Sequence, residues 1–291
     1  MKVTTAAGYS FHQLGERDNQ EDSRFPDANV SQPGQMFFVV CDGVGGSAKG
    51  ELASGIVAER FGKKLKKMNF EEEFTDDKLL QVLDDAYMAL DKAANEENFD
   101  MGTTMTMICF HSKGCVMAHI GDSRIYHIRP QVGIIYRSED HSLVNQMVRF
   151  GQLSPEDAIN HPHRNIITRC MGPTNPDQRR SMATVLHSNN IKAGDYMVLC
   201  SDGVNSCVTD TELIELLESP VSEQEKVALL AQRCAGSSDN NTAWVVRVDS
   251  VELTEEEEQA LKEVRVLHEG DTMPINSMMI SMSELESVAR D

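Results

Sequence analysis

Between residues 103 and 128 three runs rich in Val, Ile, Thr and aromatic residues follow one another, at 103–110, 114–120 and 124–128. Only short turns separate them, one of them His111-Ser-Lys-Gly114. Neighbouring parallel strands need a crossover of a dozen or more residues, usually a helix, and there is no room for one here. The chain is therefore committed to antiparallel sheet. Similar runs at 3–9, 36–41, 182–187, 196–200 and 243–248 predict further strands. Two longer segments carry apolar residues at helical spacing. One follows Ser47 as N-cap, with Leu52, Ile56, Val57, Phe61 and Leu65; the other spans 76–94, with Leu79, Leu83, Ala86, Tyr87 and Leu90. Both predict amphipathic helices laid on a sheet, an α+β architecture.

A polar insert at about 141–180 carries two short helical patterns, one capped by Ser142 and the other starting at Ser154, and reads as a substrate-facing flap. Helices are expected again over 210–218 and 222–234. No repeat or Pro/Ser-rich linker divides the chain, so residues 1–249 read as one domain and 250–291 as an extension. That extension holds eleven acidic residues against three basic, a net of −8 out of −19 for the whole chain. Thr254-Glu-Glu-Glu257 forms a capping-box pattern ahead of Leu261, Val264 and Leu267, and a Met-rich stretch follows at 273–282. A solvated extension is the simpler reading; a docking arm is the alternative.

So acidic a chain repels nucleic acid and anionic lipid. Its longest apolar runs fall far short of the roughly 20 residues that span a bilayer. The N-terminus carries no apolar secretion segment, and the seven cysteines contain no C-x-x-C pair. A cytoplasmic, monomeric protein with reduced thiols is expected, with no nucleic-acid or membrane partner.

The run 37–41 is followed by Asp42-Gly43-Val44, and the run 196–200 by Ser201-Asp202-Gly203-Val204. Asp122 follows a third strand, Asp239 precedes a fourth, and Asp22 closes Arg17-Asp18-Asn19-Gln20-Glu21-Asp22. Any one Asp-Gly pair is an ordinary turn. If these strand ends converge, however, like charges about 4 Å apart repel by ~4 kcal/mol at an effective dielectric near 20. A cation between them removes that repulsion, and all-oxygen ligands select hard Mg²⁺ or Mn²⁺. Glycine after Asp42 lets a backbone carbonyl approach such an ion.

Nine motifs in sequence order resemble the metal-dependent protein serine/threonine phosphatases of type 2C in their bacterial form. They are Arg17-x-Asn-Gln-Glu-Asp22, Asp42-Gly-Val-Gly-Gly46, Met101-Gly-Thr-Thr104, Gly121-Asp-Ser-Arg124, Asp140-His-Ser142, Asn165-Ile-Ile-Thr-Arg169, Gly194-Asp195, Ser201-Asp-Gly203 and Asp239-Asn-x-Thr242. The resemblance implies a four-layer α-β-β-α sandwich with a metal cluster at one end. It implies two Mn²⁺ or Mg²⁺ ions bridged by Asp42, with Asp202 and Asp239 completing one site and the Gly43 carbonyl serving the other. Asp122, sharing Asp202, would hold a third ion; Glu21 and Asp22 match acidic positions that ligate directly or through water. Arg17 matches the arginine that grips the substrate phosphate. The implied reaction is hydrolysis of phosphoserine or phosphothreonine on proteins by metal-activated water, opposing a serine/threonine kinase.

Where some relatives carry a histidine, a candidate acid for the leaving group, this chain has Val44; His161 and His163 are the nearest alternatives by family position. Asn241 stands where isoleucine is usual. His141 is expected to order a turn, and Cys41 and Cys200 to fill core. The rival readings are a non-catalytic phosphatase-like binding module and a small-molecule phosphomonoesterase.

Overall fold

The computed structural model describes residues 1–44, 49–94, 101–174 and 180–255. The chain divides into one unit at Met1–Glu252 and a second at Leu253–Asp291. The helical and Met-rich patterns read in the tail lie outside the described residues.

The first unit begins with β1 (Lys2–Thr5), β2 (Tyr9–Gln13), β3 (Asp22–Phe25) and β4 (Phe37–Asp42), then α1 (Gly50–Leu65) and α2 (Asp76–Ala94). Next come β5 (Met105–His111), β6 (Gly114–Ile120), β7 (Arg124–Arg129) and β8 (Gly133–Arg137), then the short helices α3 (Leu143–Arg149) and α4 (Pro155–Ile159). It closes with β9 (Thr184–Ser188), β10 (Tyr196–Cys200), α5 (Asp202–Asn205), α6 (Asp210–Glu218), α7 (Glu223–Cys234) and β11 (Asn241–Glu252). One sheet has the order β3-β4-β5-β6-β9; the other runs β1-β11-β10-β7-β8, with β2 also paired to β11. Every named pairing is antiparallel.

Side-chain alternation turns these sheets into a sandwich. In β4, Phe37, Val39 and Cys41 face a cluster that includes Val57 and Phe61 of α1 and Leu83 and Leu90 of α2. Phe38 and Val40 face the opposite way and meet Met197, Leu199, Trp244 and Val246 of the other sheet. The outward residues of that sheet, such as Val198 and Val245, pack on Leu213 and Leu217 of α6 and Val227 and Leu230 of α7. Three apolar layers thus separate helix, sheet, sheet and helix, as the resemblance implies. Strands buried on both faces read as unbroken apolar runs, which is why β4 and β10 are so plain in the sequence.

Several elements depart from the sequence reading. The single strand expected at 3–9 is two, because β1 and β2 pair successive halves of the long β11, with Ala6-Ala7-Gly8 between them. The strand Asp22–Phe25 has no counterpart among the expected ones: its inward residues, Asp22 and Arg24, are charged, so no apolar pattern marks it. Nor has Gly133–Arg137, a half-buried edge strand. Lys49 occupies the N-cap of α1, and Ser47 lies outside the described residues. The buried stripe of α1 is Ala53, Val57, Phe61 and Leu65, whereas Leu52 is exposed. The helix at 76–94 and its five stripe residues stand as expected, and Ser142 and Ser154 cap α3 and α4.

Phe38 packs on Trp244 at 5.0 Å between the sheets, both fully buried. Phe38→Ala is expected to cost about 3–5 kcal/mol. Leu52→Ala should change stability by no more than about 0.5 kcal/mol. Urea unfolding followed by the fluorescence of the sole tryptophan checks both.

Candidate metal centre and active site

All the strand ends that carry the predicted aspartates lie at one end of the sandwich. Asp42 ends β4, directly opposite Asp22 at the start of β3. Asp122 sits in the turn from β6 to β7, Asp202 follows β10, and Asp239 precedes β11. The pairings of Cys200 with Arg124 and Ala243 bring the last three turns together.

Electrostatics confirms the proximity. The Asp42 carboxyl is held far above its usual range, first by burial and then by Asp22, Asp202, Asp122 and Asp239 in turn. Burial, then Asp202 and Asp140, raises Asp122 to about 7. Asp22 also rises to about 7: burial dominates over hydrogen bonds from Thr242 and Ser201, and Asp202 and Asp239 add to it. Asp202 is raised by burial and then by Asp239, while a side-chain hydrogen bond with Asp42 and the charge of Arg17 work the other way. Glu21 is raised by burial and is more open to solvent.

Backbone packing fixes Gly43. A Cβ there would lie 2.5 Å from the carbonyl carbon of Gly50 and 2.8 Å from the oxygen of Glu21, so the turn after β4 admits only glycine. The Gly43 amide donates to the Glu21 carbonyl at 3.0 Å, and the Thr104 amide to that of Asp42 at 2.7 Å. The Thr104 hydroxyl accepts from the Asp42 amide at 3.0 Å and shares a 2.7 Å hydrogen bond with Ser123.

Several positioning residues escape the sequence reading as individuals, although they lie inside its motifs. Buried Asn240 accepts from the Glu21 amide at 2.8 Å and donates to the carbonyls of Leu14 and Asn19 at 2.8 and 3.0 Å. It thereby pins the loop that carries Arg17 and Glu21. Ser201 donates to the Asp22 carboxylate at 2.8 Å and accepts from the Thr242 amide at 3.0 Å. Arg124 grips Asp140 through two 2.7 Å hydrogen bonds and so anchors the start of the insert beside Asp122.

The remaining predicted residues divide. Arg17 reaches the cluster, where its guanidinium donates to Asp239 at 2.8 Å while the side chain stays 45% exposed. His141 orders its turn: Nδ1 accepts from the Gly121 amide at 3.1 Å, and Nε2 lies 2.8 Å from the Thr184 hydroxyl. Burial, then neighbouring His119, lowers it to about 3, which keeps the ring neutral. His161 and His163 pack against each other at 5.3 Å, and His161 Nδ1 accepts from the His163 amide at 3.2 Å within the same loop. Val44 donates its amide to the Gly102 carbonyl at 2.9 Å. Cys41 and Cys200 are buried, with burial pushing the Cys200 thiol up to about 12. Asn241 is fully buried; its amide nitrogen donates to the Asp239 carbonyl at 3.2 Å.

These residues fit a hard divalent cation. Buried oxygens dominate the donor set, and Asp22 Oδ1 is buried with no hydrogen-bond partner. Among the described residues no three His, Cys, Asp or Glu side chains are already closed around a single point. The fit therefore rests on mutual repulsion and burial rather than on a finished cage.

Sandwich and donor set together define the class of metal-dependent phosphatases. A family profile described as Protein phosphatase 2C matches residues 13–241. A putative protein phosphatase 2C-type of Streptococcus pyogenes is 32% identical over 243 residues, covering 81% of this chain and 95% of the relative. Among solved structures, the serine/threonine phosphatase of Staphylococcus aureus is 31% identical, with a TM-score of 0.72 over 86% of this chain and 98% of that one. The catalytic domain of the serine/threonine protein phosphatase PstP in complex with two manganese ions is 27% identical, with a TM-score of 0.69 over 85% and 100% of the two chains. The chain belongs to the protein phosphatase 2C family. It is a protein serine/threonine phosphatase that depends on divalent metal.

Raised carboxyls have a thermodynamic consequence. From pH 4 to 7 the metal-free native state holds protons on Asp22 and Asp122 that the unfolded chain has released, so its stability falls as pH rises through that window. Cation binding replaces those protons. The rise in Tm produced by Mn²⁺ on EDTA-stripped protein is therefore expected to grow from pH 5 to pH 7, and Asp122→Asn to flatten that slope. Differential scanning fluorimetry reads both.

Proposed function

We propose that the chain hydrolyses phosphoserine and phosphothreonine on proteins by direct attack of water, without a covalent phosphoenzyme. The observation that carries this reading is the convergence of Asp22, Asp122, Asp202 and Asp239, from separate strand ends, on the buried Asp42 carboxyl, which burial first and then these four hold above its usual range. Asp42 would bridge two cations, Mn²⁺ or Mg²⁺, with Asp202 and Asp239 on one and the Gly43 carbonyl on the other. Asp122 would join Asp202 at a third, while Glu21 and Asp22 would ligate directly or through water. Bound there, the ions would lower the pKa of a water and neutralise the phosphoryl oxygens that gain charge.

The protein's own groups would do the rest. Arg17 has guanidinium N–H groups beyond the one donated to Asp239, and they would hold the phosphoryl group in line. Asp239 aims that guanidinium across the carboxylate cluster. Val44 offers no proton, and the neutral His141 ring is committed to Gly121 and Thr184, so the leaving oxygen would be protonated by a water at the metal site or by another group, His161 and His163 being the nearest candidates by family position. A serine/threonine kinase in the same compartment would supply the substrates. The cytoplasm fits a chain in which no described helix is long and apolar enough to cross a membrane, and a monomer is proposed. The extension expected from residue 250 begins three residues later, because 250–252 complete β11 and pair with β1; residues 253–291 are proposed as an extension outside the catalytic domain.

Purified protein with Mn²⁺ should hydrolyse p-nitrophenyl phosphate, and Asp42→Asn should lower kcat by about 100-fold or more. Activity surviving Asp42→Asn would remove the bridging role. Arg17→Ala should lower kcat/KM by about tenfold or more, the loss of a charge-assisted contact. Higher kcat/KM on phosphopeptides than on small phosphate esters separates a protein phosphatase from a small-molecule enzyme. Phosphoproteomics of a strain lacking the protein, complemented by wild type and by Asp42→Asn, would name the substrates.

A further inference from the structure

Arg24 is a buried charge that the phosphatase reaction does not use. Its side chain is 7% exposed. The guanidinium donates to the Ser10 hydroxyl at 2.6 Å and to the Asn29 side-chain oxygen at 2.8 Å, both neutral. Nε is buried with no hydrogen-bond partner among the described residues. The ion-pair carboxylate, Asp27, lies 3.9 Å away on a side chain that is 90% exposed. A guanidinium removed from water without a close counter-ion is strongly disfavoured, so this arginine lacks a matching charge.

A cavity of about 400 Å³ opens beside it between β3 and α1. Lys63 and Lys66, at the C-terminal end of α1, also line it, as does His12 of β2. Three acids line it too, but Glu59 makes only an exposed pair with Lys63, Asp27 is largely in solvent, and Asp22, at the far end, accepts from Ser201 and belongs to the carboxylate cluster. Lys66 lies 4.9 Å over the Phe25 ring, so one wall is aromatic. The volume exceeds that of a bare oxyanion and lies within the usual range for small-molecule sites.

We propose that this cavity binds a small phosphate-bearing anion, which serves as counter-ion to Arg24 and is held at its mouth by Lys63 and Lys66. Arg24 and Lys66, joined by Lys63 once it exchanges its exposed pair with Glu59 for the anion, would present three cations to a tetrahedral oxyanion, which suit a doubly charged phosphate better than a single carboxylate. Inorganic phosphate, the product of the reaction, and a phosphorylated metabolite share this chemistry. Phe25 and Ala58 would carry the organic part of the latter. The site differs from the one that holds the substrate phosphoryl group. Asp22 is the residue they share: it lines the far end of this cavity and pairs with Asp42 across β3 and β4.

Isothermal titration of the Mn²⁺-loaded protein with inorganic phosphate tests the proposal. Wild type should bind two phosphates, and Asp42→Asn should retain only the one beside Arg24. The double variant Lys63→Gln, Lys66→Gln should weaken that site by about tenfold or more while keeping p-nitrophenyl phosphate turnover. Arg24→Gln should abolish it; if that variant does not fold, the lysine pair still decides. n-Butylphosphonate binding more tightly than phosphate assigns the site to a phosphorylated metabolite; equal or weaker binding assigns it to free phosphate. One phosphate site in wild type, lost in Asp42→Asn, would overturn the proposal. So would a second site indifferent to both lysines.

Discussion

Repulsion among buried carboxylates is the constraint around which this molecule is arranged. Asp22, Asp42, Asp122 and Asp202 all sit where burial and their neighbours disfavour the charged form. A small or loose fold would relieve that by letting the side chains swing into water. Here they cannot, because each is fixed at the end of a strand that has an apolar layer on both faces or at the edge of one. Three layers of apolar contact, not local propensity, hold the carboxylates in place, and the divalent cation the family requires supplies the compensating charge.

Hydrogen bonding extends that rigidity into the turns. Asn240 commits three hydrogen bonds to a loop more than 200 residues away in sequence, and so gathers Glu21 and the Arg17 segment beside Asp239. Thr104 and Ser201 do the same for Asp42 and Asp22, with hydroxyls that accept backbone amides. None of these groups carries charge, so they order the cluster without adding to its repulsion.

What the sequence discloses follows from which side chains face which layer. Strands β4, β10 and β11 are apolar on both faces and are legible as runs; α2 is legible because its stripe is strictly amphipathic. The echo of Asp-Gly after two such strands is enough to mark Asp42 and Asp202 from the chain alone. Strand β3 is invisible there because its inward residues are Asp22 and Arg24, whose burial depends on partners from β2, from the turn after β10 and from the loop at 29. Asn240 is hidden for a related reason: its role is defined by carbonyls at 14 and 19 that no local pattern connects to it. Long-range polar contacts leave no periodicity.

Strand β3 thereby has two roles. Through Asp22 it joins the carboxylate cluster, and two residues on, through Arg24, it places a guanidinium in the same inter-sheet space. Opposite charges so close along one edge strand would ordinarily be expected to pair. They do not: Asp22 accepts from Ser201, and Arg24 donates to Ser10 and Asn29. Keeping them apart leaves the aspartate for a cation and the arginine for an anion. A direct salt bridge would satisfy both residues at the expense of both sites.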